Sequence, residues 1–282
     1  MVVFRNVLKA VSWTLTLNQS GEERDLVVLM YHRVTGDVPL ELDIQYAHFC
    51  SQMRWLAARE RVVSLDEGLE LLQGSRELAD DRCAFVVTFD DAYEDFYTRV
   101  FPLLKELDLP ATLYVPTGFL DNPDIPPISR SVREGYRLQP MGWSMLEEVA
   151  RSRLVTIGAH THSHRELPSL SDREIDEELG RSDDLLKERL GVVPQHFAYP
   201  RGAWDRRVEQ LIRRRYRSAA LVGGGAISRS DPDPFRLSRV PVLRSDSMRW
   251  FGSRIRGRLQ YEERMVWAIK QLTRQRAASF GY

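Results

Sequence analysis

Short apolar runs alternate with longer segments of helical periodicity along most of this chain. Six runs predict buried β-strands and a weaker seventh lies at 61–65; the six span 26–31, 84–89, 111–115, 154–157, 196–199 and 218–222. Apolar positions recur with helical spacing between them, at 46–59, 66–73, 93–107, 143–152, 171–190 and 204–215. This alternation predicts an α/β fold with parallel strands and right-handed crossovers, in either a barrel or an open doubly wound sheet.

Two features of the pattern help to place boundaries. Ser171 and Glu174 have the spacing of a capping box, and Gly191 is suited to end the same helix. The segment 118–142 interrupts the alternation, because its prolines disfavour a helix. Long loops in compact domains are usually functional or mobile, so we expect this segment, with Trp143 directly after it, to contribute to ligand binding.

Both ends of the chain predict amphipathic helices rather than membrane spans. Near the N-terminus, apolar residues recur every four positions, at Val3, Val7, Val11 and Leu15. No small-x-small cleavage motif and no run of ~18 apolar residues is found there, so neither a typical signal peptide nor a span is expected. After Asp246, apolar and basic residues are interleaved. We therefore divide the chain into an N-terminal helix at 1–24, a main domain at 25–245 and basic amphipathic helices at 246–282.

Charge is distributed unevenly along a chain of ordinary globular composition. Forty Lys and Arg balance forty Asp and Glu, but residues 201–282 carry 19 basic against 7 acidic residues. Two interpretations stay open: the terminal helices bind an anionic membrane surface, using Arg5, Lys9 and the C-terminal arginines, or they pack on the domain with their basic groups solvated. Only Cys50 and Cys83 are present, which fits a reducing compartment. We expect a cytoplasmic protein, peripheral on the inner membrane in the first case, with no nucleic-acid partner.

Adjacent carboxylates follow the most apolar run, in the segment Thr88-Phe89-Asp90-Asp91. Functional groups collect at the C-terminal ends of parallel strands. Two neighbouring carboxylates are costly there unless a cation or a proton is shared, so one could bind a metal ion while the other acts as a base. The alternative is a helix N-cap with an acidic first turn.

Three of the six histidines lie within five residues, in His160-Thr161-His162-Ser163-His164. His160 and His164 are four apart, so a helical turn or a compact loop can aim both imidazoles at one ion while His162 points elsewhere. With Asp91 they would supply two imidazoles and one carboxylate, a set typical of catalytic metal sites with open positions. The alternative is a solvated polar loop.

Two further strand ends carry polar groups. The segment 197–202 contains Pro200 and Gly202, which suit a tight turn whose backbone N–H groups could stabilise an oxyanion. His32 follows the run 26–31 and would lie at the same edge of the sheet. The alternatives are an ordinary strand-to-helix turn and a structural histidine.

These motifs resemble, in order and in strand context, those of the polysaccharide deacetylase family, the NodB-homology domains of carbohydrate esterase family 4. Thr88-Phe89-Asp90-Asp91 matches its first motif and His160-Thr161-His162-Ser163-His164 its second. Phe197-Ala198-Tyr199-Pro200-Arg201-Gly202 is similar to a variant of its third. The resemblance covers roughly residues 25–243.

The resemblance implies a distorted (β/α) barrel of about seven parallel strands and metal-dependent removal of N- or O-acetyl groups from sugars. It implies that Asp90 is the catalytic base, and that the metal ligands are Asp91, His160 and His164. The expected ion is Zn²⁺, with Co²⁺, Ni²⁺ or Mn²⁺ as alternatives. The substrate side of the site would include the turn residues Tyr199, Pro200 and Arg201, together with Trp143.

The chain departs from the commoner family pattern at two places. Ala198 stands where the third motif usually has an arginine that orients the base, and Arg201 stands where it has a tyrosine. No histidine follows His196, so the late motif that supplies a general-acid histidine is absent, and 236–241 lies in its place.

Poly-N-acetylglucosamine deacetylases also lack the late histidine and have one on the first strand instead, which His32 matches. We therefore expect His32 to be the general acid, with a pKa raised by the nearby Asp90. Three functions stay open: a deacetylase of acetylated carbohydrate in bacterial envelope or exopolysaccharide synthesis, which we favour; another metal-assisted hydrolase such as a cyclic amidase; and a carbohydrate-binding protein without activity.

Overall fold

Parallel strands form a sheet that curves into a nearly closed barrel at the centre of the protein. The eight strands described are β1 (Leu26–Tyr31), β2 (Arg61–Val62), β3 (Ala84–Asp90), β4 (Ala111–Val115), β5 (Val155–Ala159), β6 (His196–Ala198), β7 (Ser218–Ala220) and β8 (Arg239–Pro241). Their order is β7-β6-β5-β4-β3-β1-β8, and β2 pairs with β3. The computed structural model describes residues 2–16, 24–75, 82–124, 126–128, 135–262, 264–266 and 269.

Backbone hydrogen bonds bridge the two ends of this sheet. The Leu221 N–H donates to the Leu237 C=O at 2.9 Å, and the Leu237 N–H donates to the Ala219 C=O at 3.0 Å. The chain after β7 therefore pairs with the chain before β8, and the distorted (β/α) barrel is confirmed over the open sheet. All seven predicted strands are present. The apolar pattern did not predict β8, because this strand has only three residues and begins with an arginine.

Helices cover the outside of the barrel and its ends. They are α1 (Val2–Leu15), α2 (Tyr46–Arg59), α3 (Leu65–Leu72), α4 (Phe101–Leu107), α5 (Thr117–Asp121), α6 (Trp143–Arg151), α7 (Asp172–Leu190), α8 (Arg206–Arg213) and α9 (Met248–Ile255). A π-helical turn at Phe96–Val100 precedes α4. The predicted capping box opens α7, where the Ser171 hydroxyl accepts from the Glu174 N–H, and Gly191 ends that helix at a φ of 68°. The short helix α5 begins the segment that was expected to be irregular.

The core lies between the barrel strands and these helices. Every residue of β1 and β3 is buried, as expected for central parallel strands that are covered on both faces. Aromatic rings from both strands meet a ring of α2: Tyr31, Phe89 and Phe49 have centroids 5.3 to 5.9 Å apart. This packing fixes the C-terminal ends of β1 and β3, from which catalytic candidates project.

Helix α1 packs on the domain through its polar face. Lys9 Nζ lies 2.8 Å from Asp246 Oδ1, and Arg5 Nη1 lies 2.9 Å from Glu262 Oε1. Arg254, from α9, pairs with both carboxylates. The apolar face points outward instead: the side chains that are 43 to 57 % exposed are Phe4, Val7, Val11 and Leu15.

Helix α1 thus packs on the domain, as the second interpretation expected, but with its basic groups buried and not solvated. Arg5 and Lys9 are neither at a membrane surface nor solvated, because buried carboxylates from a distant part of the chain take them as partners. The predicted basic amphipathic region at 246–282 is described only in part. Four of its apolar and basic residues, Trp267, Lys270, Arg274 and Arg276, lie outside the described residues. No helix of the described ranges is long and apolar enough to cross a bilayer.

Candidate active site

The catalytic candidates meet at the C-terminal edge of the barrel strands. His32 follows β1, Asp90 ends β3, His160 follows β5, and Arg201 follows β6 by three residues. These side chains line one cavity of about 590 Å³, together with Asp91 and His164. The common direction of parallel strands brings groups from well-separated parts of the sequence to one place.

Asp91, His160 and His164 form a cluster suited to a metal ion. One ligand atom from each lies within 4.8 Å of the others. His160 Nε2 is 3.6 Å and His164 Nε2 is 3.7 Å from Asp91 Oδ1. His162 lies apart, with its Nδ1 2.9 Å from the Thr117 hydroxyl. The structure thus brings together the three residues proposed as ligands and separates the fourth candidate from them.

The surroundings of this cluster also fit a cation. His160 Nδ1 lies 2.7 Å from the Ala198 carbonyl oxygen, which places the proton on Nδ1 and leaves the Nε2 lone pair facing the cluster. Asp91 Oδ2 accepts from the Tyr93 hydroxyl at 3.1 Å, whereas the buried Oδ1 has no hydrogen-bond partner. Burial and the neighbouring Asp90 raise the pKa of Asp91 well above its ordinary value. A cation between Asp91 Oδ1 and the two Nε2 atoms would satisfy the orphaned oxygen and relieve this cost.

Strained backbone conformations are concentrated around the site. Asp91, Thr161, His164 and Arg201 have φ values of 76°, 64°, 57° and 56°, in the left-handed region. Non-glycine residues seldom adopt this conformation, and such strain persists where the surrounding structure holds it in place for function. The Thr161 hydroxyl helps to hold one of these turns, since it accepts from the His164 N–H at 3.0 Å.

Arg239, which the sequence did not identify as a site residue, is fully buried beneath the site. It binds the Asp90 carboxylate through both terminal nitrogens of its guanidinium. Nη1 lies 2.6 Å from Oδ1 and Nη2 lies 2.8 Å from Oδ2. Its Nε donates to the Leu221 carbonyl oxygen at 2.8 Å, and its guanidinium lies 5.3 Å from the centroid of the Tyr114 ring. That ring fits because Gly158 has no side chain; a Cβ there would come within 2.5 Å of Tyr114.

This ion pair sets the protonation state of Asp90. Burial alone would raise its pKa, but the Arg239 guanidinium and the nearby imidazoles hold the pKa of Asp90 well below its ordinary value. Asp90 is therefore ionised at neutral pH, and the two hydrogen bonds from Arg239 fix the orientation of its carboxylate.

His32 lies beside Asp90, with Nε2 3.9 Å from Oδ2. The sequence predicted that Asp90 would raise the pKa of His32, but burial lowers this pKa to about 4, although Asp90 opposes the change. The positive charge of Arg239 nearby lowers the pKa of His32 further. His32 is consequently neutral at pH 7 before a substrate reacts.

Of the residues predicted on the substrate side of the site, some line the cavity in the structure and others do not. Arg201 lines the cavity, and its Nη1 lies 2.9 Å from Glu166 Oε1. The Tyr199 N–H already donates to the Ala220 C=O at 3.0 Å, and Pro200 has no N–H, so an oxyanion role in this turn falls to the Arg201 N–H. Trp143 is not among the described residues of the cavity lining, and its indole N–H donates to Asp121 Oδ1 at 2.8 Å.

A model of the family described as polysaccharide deacetylase matches residues 79–216. This range holds the Asp90-Asp91 pair, both histidines of the cluster and the turn at Arg201, whereas His32 and Arg239 lie outside it. The part of the chain that carries the proposed metal ligands is thus similar to polysaccharide deacetylases.

Known polysaccharide deacetylases resemble this chain over most of its length. A poly-β-1,6-N-acetyl-D-glucosamine N-deacetylase of Escherichia coli (strain K12) is 25% identical over 278 residues, covering 86% of this chain and 40% of that protein. This chain thus spans about two fifths of that relative. The structure of IcaB from Ammonifex degensii superposes with a TM-score of 0.67 at 25% identity, over 86% of this chain and all of that one. The deacetylase PplD of Streptococcus pyogenes, in complex with acetate, has a TM-score of 0.68 at 22% identity, over 83% and 99%.

The departure from the commoner family pattern at Ala198 has a structural counterpart in this chain. The commoner third motif has at that position an arginine that orients the base. Here Arg239 on β8 reaches Asp90 from another strand, and Ala198 contributes its carbonyl oxygen to His160 instead. The sequence did carry a hint of this role for Arg239. The arginine is followed by the apolar residues of a short strand, and an arginine that is buried needs an acidic partner.

Proposed function

We propose that this protein removes acetyl groups, in particular N-acetyl groups, from a carbohydrate of bacterial envelope or exopolysaccharide synthesis, in a metal-dependent hydrolysis. The observation that carries the proposal is the pairing of two sites in one cavity. The Asp91, His160 and His164 cluster lies beside Asp90, which Arg239 holds ionised.

The three clustered side chains would hold the metal ion, with Zn²⁺ expected and Co²⁺, Ni²⁺ or Mn²⁺ as alternatives. A divalent ion bound there would polarise the acetyl carbonyl and lower the pKa of a bound water. The donor set of two imidazoles and one carboxylate leaves positions for water and substrate. The hydrogen bond from His160 to Ala198 would keep the tautomer that such a site requires.

Asp90 and His32 would move the protons of the reaction. The Asp90 carboxylate takes a proton from the attacking water. Its pKa lies below that of His32, so the proton passes on from Asp90 and comes to rest on His32. The 3.9 Å between them requires a small approach or a bridging water. His32 thereby becomes the imidazolium that protonates the departing amine, even though it is neutral beforehand.

We assign the developing oxyanion to the Arg201 N–H, because the neighbouring Tyr199 and Gly202 N–H groups already donate to backbone carbonyls. Arg201 belongs to the turn after β6, and its left-handed conformation sets the direction of this N–H. Its side chain is tied to Glu166, which steadies the turn at the cavity wall. Preorganised donors of this kind contribute most where charge develops in the transition state.

We also propose that the protein contacts an anionic membrane peripherally. The support is the exposed apolar face of α1, together with exposed arginines on the C-terminal segment against which α1 packs, at Arg249, Arg256 and Arg264. The basic groups first expected to bind lipid, Arg5 and Lys9, are not part of this surface. The cytoplasmic location stays a prediction.

Acetate release tests the function. Protein loaded with Zn²⁺ or Co²⁺ is incubated with N-acetylglucosamine derivatives, and acetate is measured against an Asp90→Asn variant. We expect release by the wild type and a loss on the order of 10²–10⁴-fold in the variant. Metal binding without acetate release from any acetylated sugar would favour the inactive carbohydrate-binding alternative, and turnover of small cyclic amides alone would favour the amidase.

A further inference from the structure

The cavity that leads to the catalytic residues has an apolar wall. Six separate parts of the chain outside the strands contribute to it: α1, the loop between β1 and α2, the segment after α5, the segment after β7, the segment after β8 and the C-terminal region. Its members include Phe4, Leu40, Leu42, Ile128, Leu243 and Val266. The floor, in contrast, consists of the charged and imidazole groups of the active site. The lining also includes Arg5 and Glu41, which neutralise each other because Arg5 Nε lies 3.6 Å from Glu41 Oε2.

Such a wall does not suit a long glycan. The described residues of the cavity lining include no serine, threonine, tyrosine, asparagine or glutamine, and Phe4 is their only aromatic residue other than histidine. Each sugar ring of a glycan brings several hydroxyl groups, and burying them without hydrogen-bond partners costs free energy. The polar floor can satisfy one sugar, whereas the wall is suited to hydrocarbon.

We propose that the substrate is a single N-acetylated sugar, or a short sugar unit, attached to a hydrocarbon chain, with the chain lying along this wall. The proposal rests on the deacetylase function and names the substrate class of the same site. A cavity of about 590 Å³ has the size of pockets that take one compact ligand, which agrees with one sugar ring and the adjoining part of a chain.

The apolar wall continues onto the outer surface of the protein. Phe4 lines the cavity and also begins the exposed apolar face of α1, which runs on through Val7, Val11 and Leu15. The buried pairs Lys9–Asp246 and Arg5–Glu262 hold α1 so that this face points outward. A lipid-linked sugar could therefore keep most of its tail in a bilayer while its head reaches Asp90.

Chain-length dependence of turnover tests this assignment. Methyl, octyl and dodecyl glycosides of N-acetylglucosamine, and soluble N-acetylglucosamine oligomers, are compared by acetate release below the concentrations at which micelles form. Each buried methylene contributes about 0.8 kcal/mol, or about fourfold. We expect kcat/KM to rise at least about 100-fold from methyl to octyl, and to exceed that of the oligomers.

Two exposed valines provide a matched pair of variants. Val222 lines the cavity and is 42% exposed, whereas Val193 is 57% exposed and lies outside the lining. Val222→Ser should lower the octyl-to-methyl ratio of kcat/KM about threefold or more, and Val193→Ser should leave it unchanged.

The outcomes separate this inference from the function on which it rests. Turnover that is independent of chain length, a preference for the oligomers, or equal effects of the two valine variants would overturn the hydrocarbon site and leave the deacetylase standing. Absence of acetate from every substrate with metal-loaded protein would overturn the deacetylase, and the substrate class with it.

Discussion

Two neighbouring carboxylates in the site are held in opposite electrostatic states. Asp90 has an arginine partner that keeps it ionised, whereas Asp91 has an unpaired, buried oxygen and a raised pKa. One is thereby prepared as a base and the other as a ligand that requires a cation. The sequence predicted the pair and the clustered histidines because each lies in a short local motif. It missed Arg239, which reaches Asp90 from 149 residues further along the chain.

The base depends on Arg239 in a way that pH can reveal. Arg239→Gln should lower kcat on the order of 10²-fold, because the carboxylate loses its orientation. It should also raise the pKa of Asp90, so the acidic limb of the pH profile of kcat/KM moves to higher pH. Arg239→Lys should fall between the variant and the wild type. Arg236→Gln, a nearby exposed arginine, is the control; an Arg239→Gln profile with an unmoved acidic limb would contradict the positioning role.

If His32 protonates the leaving group, its removal should reduce kcat/KM most for substrates with poor leaving groups. His32→Ala should reduce hydrolysis of an N-acetyl amide more than hydrolysis of an aryl acetate, because an amine must be protonated to leave. The ratio of the two losses in kcat/KM is the measurement. Equal losses on both substrates would indicate instead that His32 only supports the structure around Asp90.

At the scale of elements, hydrophobic periodicity predicted the barrel strands and the helices between them. It failed where a long-range partner overrides the local pattern. An amphipathic helix normally buries its apolar face. Helix α1 instead buries Lys9 and Arg5, because they form ion pairs with Asp246 and Glu262. Nothing in the local sequence of α1 identifies those partners, which are more than 230 residues away.

The buried ion pairs should therefore anchor α1. Lys9→Met removes a cation that is completely buried and leaves Asp246 with Arg254 alone, so we expect the free energy of unfolding to fall by about 3 kcal/mol. Val11→Ala, on the exposed face, should change it by less than about 0.5 kcal/mol. Urea unfolding of the two variants measures this; equal stability would mean that α1 is not held by its polar face.

At the scale of the whole molecule, the mouth of the cavity and the exposed face of α1 lie next to each other. Phe4 belongs to both, and the C-terminal segment adds positive charge nearby. This arrangement suits an enzyme that takes its substrate from a lipid surface. The orientation could not be predicted from the chain, because charge and periodicity alone left Arg5 and Lys9 either at a membrane surface or solvated.

Liposome flotation measures the proposed membrane contact. We expect the protein to bind vesicles that contain anionic lipid at low salt and to dissociate as salt is raised, since each basic side chain near the surface contributes about 1 kcal/mol. The double variant Val7→Ser and Val11→Ser should lose most of this binding, and Val193→Ser should retain it. Binding that survives in the double variant would show that α1 is not the contact.

The most direct test of the metal-dependent site compares two histidine variants that differ by two positions. Zn²⁺ binding by calorimetry and acetate release are measured together on wild type, His164→Ala and His162→Ala. We expect His164→Ala to lose metal affinity at least about 10-fold, together with activity, while His162→Ala keeps both, because His164 belongs to the cluster with Asp91 and His162 does not. Loss of metal and acetate release in His162→Ala, with both retained in His164→Ala, would contradict the assignment of the site.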